Sequence, residues 1–233
     1  MSDSPGSETV WIPTAQGDLI GDLELPARPL GLVLFAHGSG SGRLSPRNQW
    51  VASALRDGGL ATLLFDLLTP EEGQIDRRTG ELRFDIPLLG ARLTDATSFV
   101  QARPRTSELP LGYFGASTGA AAALSAASHC AVAAIVSRGG RPDLAPQALG
   151  SVLAATLLIV GGADDPVVLE VNRWALDRLA RAEKRLAIVP GAGHLFEEPG
   201  ALGRVAELAR AWFVEHFAAA ASGAPDAAAP RTP

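Results

Sequence analysis

Leu111-Gly112-Tyr113-Phe114-Gly115-Ala116-Ser117-Thr118-Gly119-Ala120 is the stretch whose reading decides the fold. An apolar run, expected as a buried strand, enters a Gly-x-Ser-x-Gly turn and leaves through small residues expected to start a helix. A turn this sharp strains its central residue and exposes the hydroxyl above the sheet. Gly115 and Gly119 answer a steric need, because side chains two positions either side of Ser117 would collide across the turn. Ala120 to Ala123 let the helix lie close against neighbouring strands. Ser117 is therefore the candidate nucleophile, weighed against an ordinary strand-to-helix turn.

Outward from this turn, strands and helices alternate, which predicts a single α/β domain: a mostly parallel central sheet with helices on both faces. Val10–Ile12 and Leu19–Leu25 read as an opening strand pair. Leu30–Ala36, Ala61–Asp66, the Ser117 strand, Ala131–Ser137, Ala154–Val160 and Lys184–Val189 read as further strands. Helices are expected over Pro46–Asp57, capped by Ser45, and over Ile86–Ala102, Leu169–Arg181 and Gly200–Phe217, besides the one after Ser117. Residues 67–84 read as a charged loop, residues 1–8 and 218–233 as disordered ends, and 9–217 as the folded domain. The short link after Ser137 leaves no room for a lid, so the site is expected open at the carboxyl edge of the sheet.

A serine hydroxyl is a poor nucleophile near neutral pH and needs a base, itself oriented by a carboxylate. The chain has four histidines, and elimination selects among them. His37 sits in a glycine-rich turn and reads as structural. His129 lies about three helical turns, ~18 Å, from Ser117. His216 is on the last helix. His194, in Pro190-Gly191-Ala192-Gly193-His194-Leu195-Phe196 after the last strand, reaches the same edge as Ser117. The acid is expected between them in chain order. Asp164 and Asp165 both qualify, with Asp143 weaker, and the aspartate not used would cap the following helix.

An oxyanion needs backbone N–H donors. Thr118 supplies one by position, and Ala36-His37-Gly38-Ser39-Gly40 offers a second, from Ser39. The run Gly38-Ser39-Gly40-Ser41-Gly42 fails as a phosphate loop: Arg43 stands where Gly-x-Gly-x-x-Gly needs glycine, and no Gly-Lys-Ser/Thr follows. Arg138 and Arg141 fall at the same sheet edge, where one could hold a substrate carboxylate, against the plainer reading of solvated or ion-paired arginines.

Composition narrows the class. At 233 residues, with 47% apolar and 19% charged, the chain fits one soluble α/β domain. A net charge of −5 offers no electrostatic footprint for nucleic acid or an anionic membrane. The single cysteine, Cys130, excludes an internal disulfide and argues against a cysteine-rich metal site. No leader-like start and no apolar span long enough for a membrane are read, so a cytoplasmic protein is expected, with no cofactor and no metal.

These residues together resemble the α/β-hydrolase superfamily, and within it the dienelactone-hydrolase-like group. The match lies in His37-Gly38, the turn at Gly115–Gly119, Gly162-Ala163-Asp164-Asp165-Pro166 and Gly193-His194. Dienelactone hydrolases usually carry cysteine where Ser117 stands. The resemblance implies a lidless hydrolase of a small carboxylic ester or lactone working through an acyl-enzyme. In the superfamily the acid commonly lies three residues after the strand-ending glycine and precedes a proline and an apolar pair. That pattern selects Asp165, with Gly162 before it and Pro166-Val167-Val168 after it. Pro166 also biases Asp165 towards an extended backbone. The expected triad is Ser117, Asp165 and His194. The rivals are a serine peptidase or acyltransferase with the same residues, and a non-catalytic binding module. The expected partner is a small-molecule substrate, and the oligomeric state is left open.

Overall fold

Short apolar runs without polar alternation dictate strands covered on both faces. The computed structural model describes residues 6–223 and has eight strands among them. These are β1 (Gly6–Thr14), β2 (Gly17–Leu25), β3 (Leu32–Ala36), β4 (Ala61–Phe65), β5 (Leu111–Ala116), β6 (Ala134–Arg138), β7 (Ala155–Gly161) and β8 (Lys184–Val189). They form one sheet in the order β1-β2-β4-β3-β5-β6-β7-β8. β1 and β2 are antiparallel to each other, β2 is antiparallel to β4, and every other pairing is parallel. All residues of β3 to β7 are buried.

Among the described residues six α-helices cover the sheet: α1 (Pro46–Asp57), α2 (Pro70–Thr79), α3 (Ile86–Gln101), α4 (Thr118–Ala127), α5 (Pro166–Arg178) and α6 (Ala201–Ala221). Strand alternation assigns side chains to opposite faces. Phe114 joins Val51, Leu55, Trp212 and Phe213 of α1 and α6 on one face. Tyr113 joins Leu93, Leu124 and Leu179 on the other, with α3 and α4. Burying a side chain such as Phe114 contributes about 1.5–3 kcal/mol. The sheet order reverses around β3, and crevices form at such points beyond the carboxyl ends of strands.

Four expectations change. Residues 6–8, read as disordered, extend β1 and pair with Leu25, Glu24 and Leu23; the ladder supplies partners that their small polar side chains do not advertise. Residues 1–5 lie outside the described residues. At the other end α6 continues through Ala221, as an alanine run favours, and residues 224–233 lie outside the description. The charged loop contains α2 and a short 3₁₀ turn, Leu82–Phe84. Thr69 and Glu72 form a capping box there, with Pro70 in the first turn. Finally, α5 begins at Pro166, three residues earlier than read, which bears directly on the aspartates. Among the described residues, no helix is long and apolar enough to cross a membrane.

Candidate active site

Ser117 has φ 52° and ψ −119°, a left-handed conformation that a non-glycine residue adopts at about 1–3 kcal/mol of strain. The surroundings enforce it. Its N–H donates to the Arg138 carbonyl (3.1 Å), and its own carbonyl accepts from the Arg141 N–H (3.2 Å). A Cβ at Gly119 would lie 2.1 Å from the Ala36 carbonyl oxygen, and one at Gly115 would lie 2.5 Å from Ala120 Cα. The two glycines are thus required by different neighbours, Gly115 by its own helix and Gly119 by the adjacent β3.

His194 is carried by the loop after β8. Three devices hold that loop: Phe196 is buried, Gly193 N–H donates to Glu198 Oε1 (3.0 Å), and Ala192 C=O accepts from Ala163 N–H (2.9 Å). The last contact ties the histidine loop to the loop after β7. A Cβ at Gly161 would lie 2.2 Å from the Ala192 oxygen, so only glycine admits this approach.

There His194 Nδ1 meets Asp164 Oδ2 at 2.9 Å, and the Asp164 side chain is only 2% exposed. Its other oxygen, Oδ1, accepts from the Asp165 N–H at 2.7 Å. Asp165, the residue preferred from the sequence, is exposed and caps α5, its Oδ1 accepting from Val167 N–H at 2.9 Å. This is a correction. Asp-Pro reads equally well as an N-cap followed by proline at the first helical position, and that reading describes Asp165. The capped start of α5 turns Asp165 outward and leaves Asp164 facing the histidine.

Ser117 and His194 come to one edge through the segment after β6: a Cβ at Gly139 would lie 3.3 Å from His194 Cε1, next to the carbonyl that Ser117 N–H meets. No hydrogen bond joins Ser117 Oγ to the imidazole among the described residues, and such contacts often tighten only with substrate bound. Asn172 of α5 holds this segment from below, its Nδ2 donating to the Gly140 carbonyl (2.9 Å) and the Val168 carbonyl (2.7 Å). Asn172 escaped the sequence reading because nothing local marks a side chain whose partner is a distant backbone atom, and Glu198 because an exposed glutamate in the same loop as Gly193 belongs to no motif.

Ser39 and Thr118 both line a cavity of about 480 Å³ whose walls include Ile20, Leu67, Pro70 and Leu89. Among the described residues, neither Ser39 N–H nor Thr118 N–H meets a backbone acceptor outside the regular helix and strand bonds, which leaves both available as donors. A Cβ at Gly38 would lie 3.3 Å from Ser117 Cβ, so the Ser39 loop packs directly on the turn. His37 is structural, as expected. Its Nε2 accepts from Leu67 N–H (3.0 Å), which leaves Nδ1 to donate to the Gly38 carbonyl (3.0 Å). Burial holds its pKa below the ordinary 6.5, against weaker raising effects from the Gly38 bond and Asp66.

The two arginines part company. Arg141 is committed to Asp143 through Nε (2.9 Å) and Nη2 (2.7 Å), which raises its pKa. Arg138 is buried and has no such carboxylate among the described residues.

A crystal structure described as a dienelactone hydrolase from Anabaena variabilis is 55% identical to this chain. The match covers 91% of this chain and 99% of that one, with a TM-score of 0.88. The chain belongs to the dienelactone hydrolase family. Its fold is that of a single-domain α/β hydrolase. Est1E from Butyrivibrio proteoclasticus, 14% identical with a TM-score of 0.74 over 90% of this chain and 99% of that one, shares the fold. A protein of Mycobacterium tuberculosis strain H37Rv, provisionally named a phosphoribosyl transferase, is 54% identical over 212 residues. Those residues are 90% of this chain and 46% of that protein, so the chain spans about half the length of the curated relatives it matches. That name belongs to the longer proteins and is not carried over. No family model matches the chain.

Proposed function

We propose that this member of the dienelactone hydrolase family cleaves small carboxylic esters or lactones with Ser117 as nucleophile. The observation that carries the reading is the buried Asp164 carboxylate on His194 Nδ1, beside a serine held at positive φ. With Nδ1–H donated to Asp164, Nε2 keeps its lone pair and serves as base. Ser117 Oγ attacks the carbonyl carbon as its proton passes to Nε2. The oxyanion takes the N–H groups of Ser39 and Thr118. Collapse expels the alcohol, which receives the proton from Nε2, and leaves Ser117 acylated. Water then attacks the acyl carbon, its proton taken by Nε2 and passed on to Ser117 Oγ as the acid leaves, which restores the free serine.

His194 is about a third exposed, so water reaches the base. That favours hydrolysis over transfer to a second alcohol. The test is labelling with a fluorophosphonate probe, paired with turnover of an aryl ester. Parent protein should label and Ser117→Ala should not, with turnover lower by about 10⁴-fold or more. A folded Ser117→Ala protein that keeps most of its activity would remove Ser117 as nucleophile.

A further inference from the structure

Arg138 closes β6, one residue before Gly139, whose backbone packs on His194. Its neighbour Ser137 turns towards Gly140 and Ala120, so alternation directs the Arg138 side chain to the face of α1 and α6, with Val136. There it is 8% exposed and has no hydrogen-bond or ion-pair partner among the described residues. Nη1 is fully buried without an acceptor. Arg47, at the start of α1 on that same face and tied to the His194 loop through Glu197, is a cation whose charge acts on it. Arg47 spends Nη1 on the exposed Glu197 (2.9 Å), while its own Nε is also buried without an acceptor. Burial, and then repulsion by Arg47, pull the Arg138 guanidinium down to about 10.

Two guanidinium groups on one face of the sheet, each with an orphaned buried N–H, form an arrangement that a folded chain strongly disfavours unless an anion shares it. Carboxylate and phosphate are the groups whose paired oxygens match such donors. We propose that Arg138 and Arg47 form an anion-binding subsite beside the Ser117–His194 edge, for a carboxylate or phosphate group. This subsite lies on the α1 and α6 face, whereas the cavity lined by Ser39 and Thr118 is walled by the α2 segment and Leu89 of α3. The anion has two possible sources, a group carried on the ester itself or a free oxyanion held next to the reacting centre.

The experiment uses the full chain and inorganic phosphate. Melting temperature and calorimetric binding are followed against chloride at constant ionic strength, for parent, Ser117→Ala and Arg138→Met. Phosphate should raise the melting temperature of the parent and of Ser117→Ala alike. Arg138→Met should melt above the parent without phosphate, since a buried unpaired charge is gone, and should not respond to phosphate. No response in the parent, or an equal response in Arg138→Met, overturns the subsite. The source is read from the kcat/KM ratio of an aryl hemiglutarate to an aryl valerate. A fall of about tenfold or more in that ratio in Arg138→Met assigns the anion to the substrate. An unchanged ratio beside lost phosphate binding assigns it to a free anion. The ester comparison rests on hydrolysis at Ser117 as proposed above. The phosphate titration does not, so the two readings fail separately.

Discussion

Adjacent aspartates with opposite duties make the sharpest case at the scale of single residues. Asp164 is buried with one oxygen on His194 and the other on a backbone N–H, while Asp165 is exposed and caps a helix. Asp164→Asn should therefore lower turnover by about 10⁴-fold while the protein stays folded, as loss of the orienting acid does in serine triads. Asp165→Ala should keep turnover within about tenfold and lose about 1 kcal/mol with the cap, a drop of roughly 2–4 °C in melting temperature. Turnover and melting measured on both variants decide it; a larger catalytic loss in Asp165→Ala would return the role to Asp165. The sequence narrowed the acid to these two residues. It then favoured Asp165, on the strength of the same proline that marks a helix start.

Among the elements, α2 shows how far a local signal can be overlooked. Its charged sequence hides a full capping box, Thr69 with Glu72, and Glu72 has a second duty. Its Oε1 accepts from Arg92 Nη2 at 2.6 Å, and the Arg92 side chain is 2% exposed. Glu72→Ala should thus destabilise by about 3 kcal/mol, because it leaves the buried guanidinium with only the Gln16 Oε1 acceptor (2.9 Å) and the longer contact to Asp95 (3.9 Å). Thr69→Ala should cost only about 1 kcal/mol, a lost cap. Urea denaturation of the two variants checks the order, and equal losses would mean that Arg92 finds another partner. Because Pro70, Gly73 and Asp76 wall the cavity beside Ser39 and Thr118, loosening α2 also loosens the substrate side of the site.

For the molecule as a whole, the lidless edge and the titration of His37 yield the measurable consequences. The cavity is about 480 Å³ and stands at the open carboxyl edge of the sheet, so it encloses a short acyl group better than a long one. In a chain-length series of aryl esters, kcat/KM should fall from butanoyl to decanoyl; a steady rise would overturn this. His37 links the loops after β3 and β4 only while Nε2 is unprotonated. Its pKa is lowered in the fold from 6.5, so its contribution is complete above that pH and is lost as pH falls towards the lower folded value. Melting temperature should decline as pH falls below 6.5, and His37→Gln should show a shallower decline from a lower starting point. Identical slopes in parent and variant would place the acid sensitivity elsewhere.

The sequence by itself determined the α/β architecture and the strand-to-helix turn at Ser117, and it put His194, Ser39 and Thr118 forward as that serine's partners. Each of these is written in contiguous residues, where hydrophobic runs, glycines and chain order act locally. The tertiary structure alone decided that Asp164 meets His194, that Asn172 and Glu198 hold the site loops, and that Arg141 is paired while Arg138 is not. Asp164 and Asn172 reach partners in distant segments, whereas Glu198 and Arg141 depend on how their own loops fold back. A lone arginine looks the same in a sequence whether solvent, a carboxylate or another arginine stands beside it.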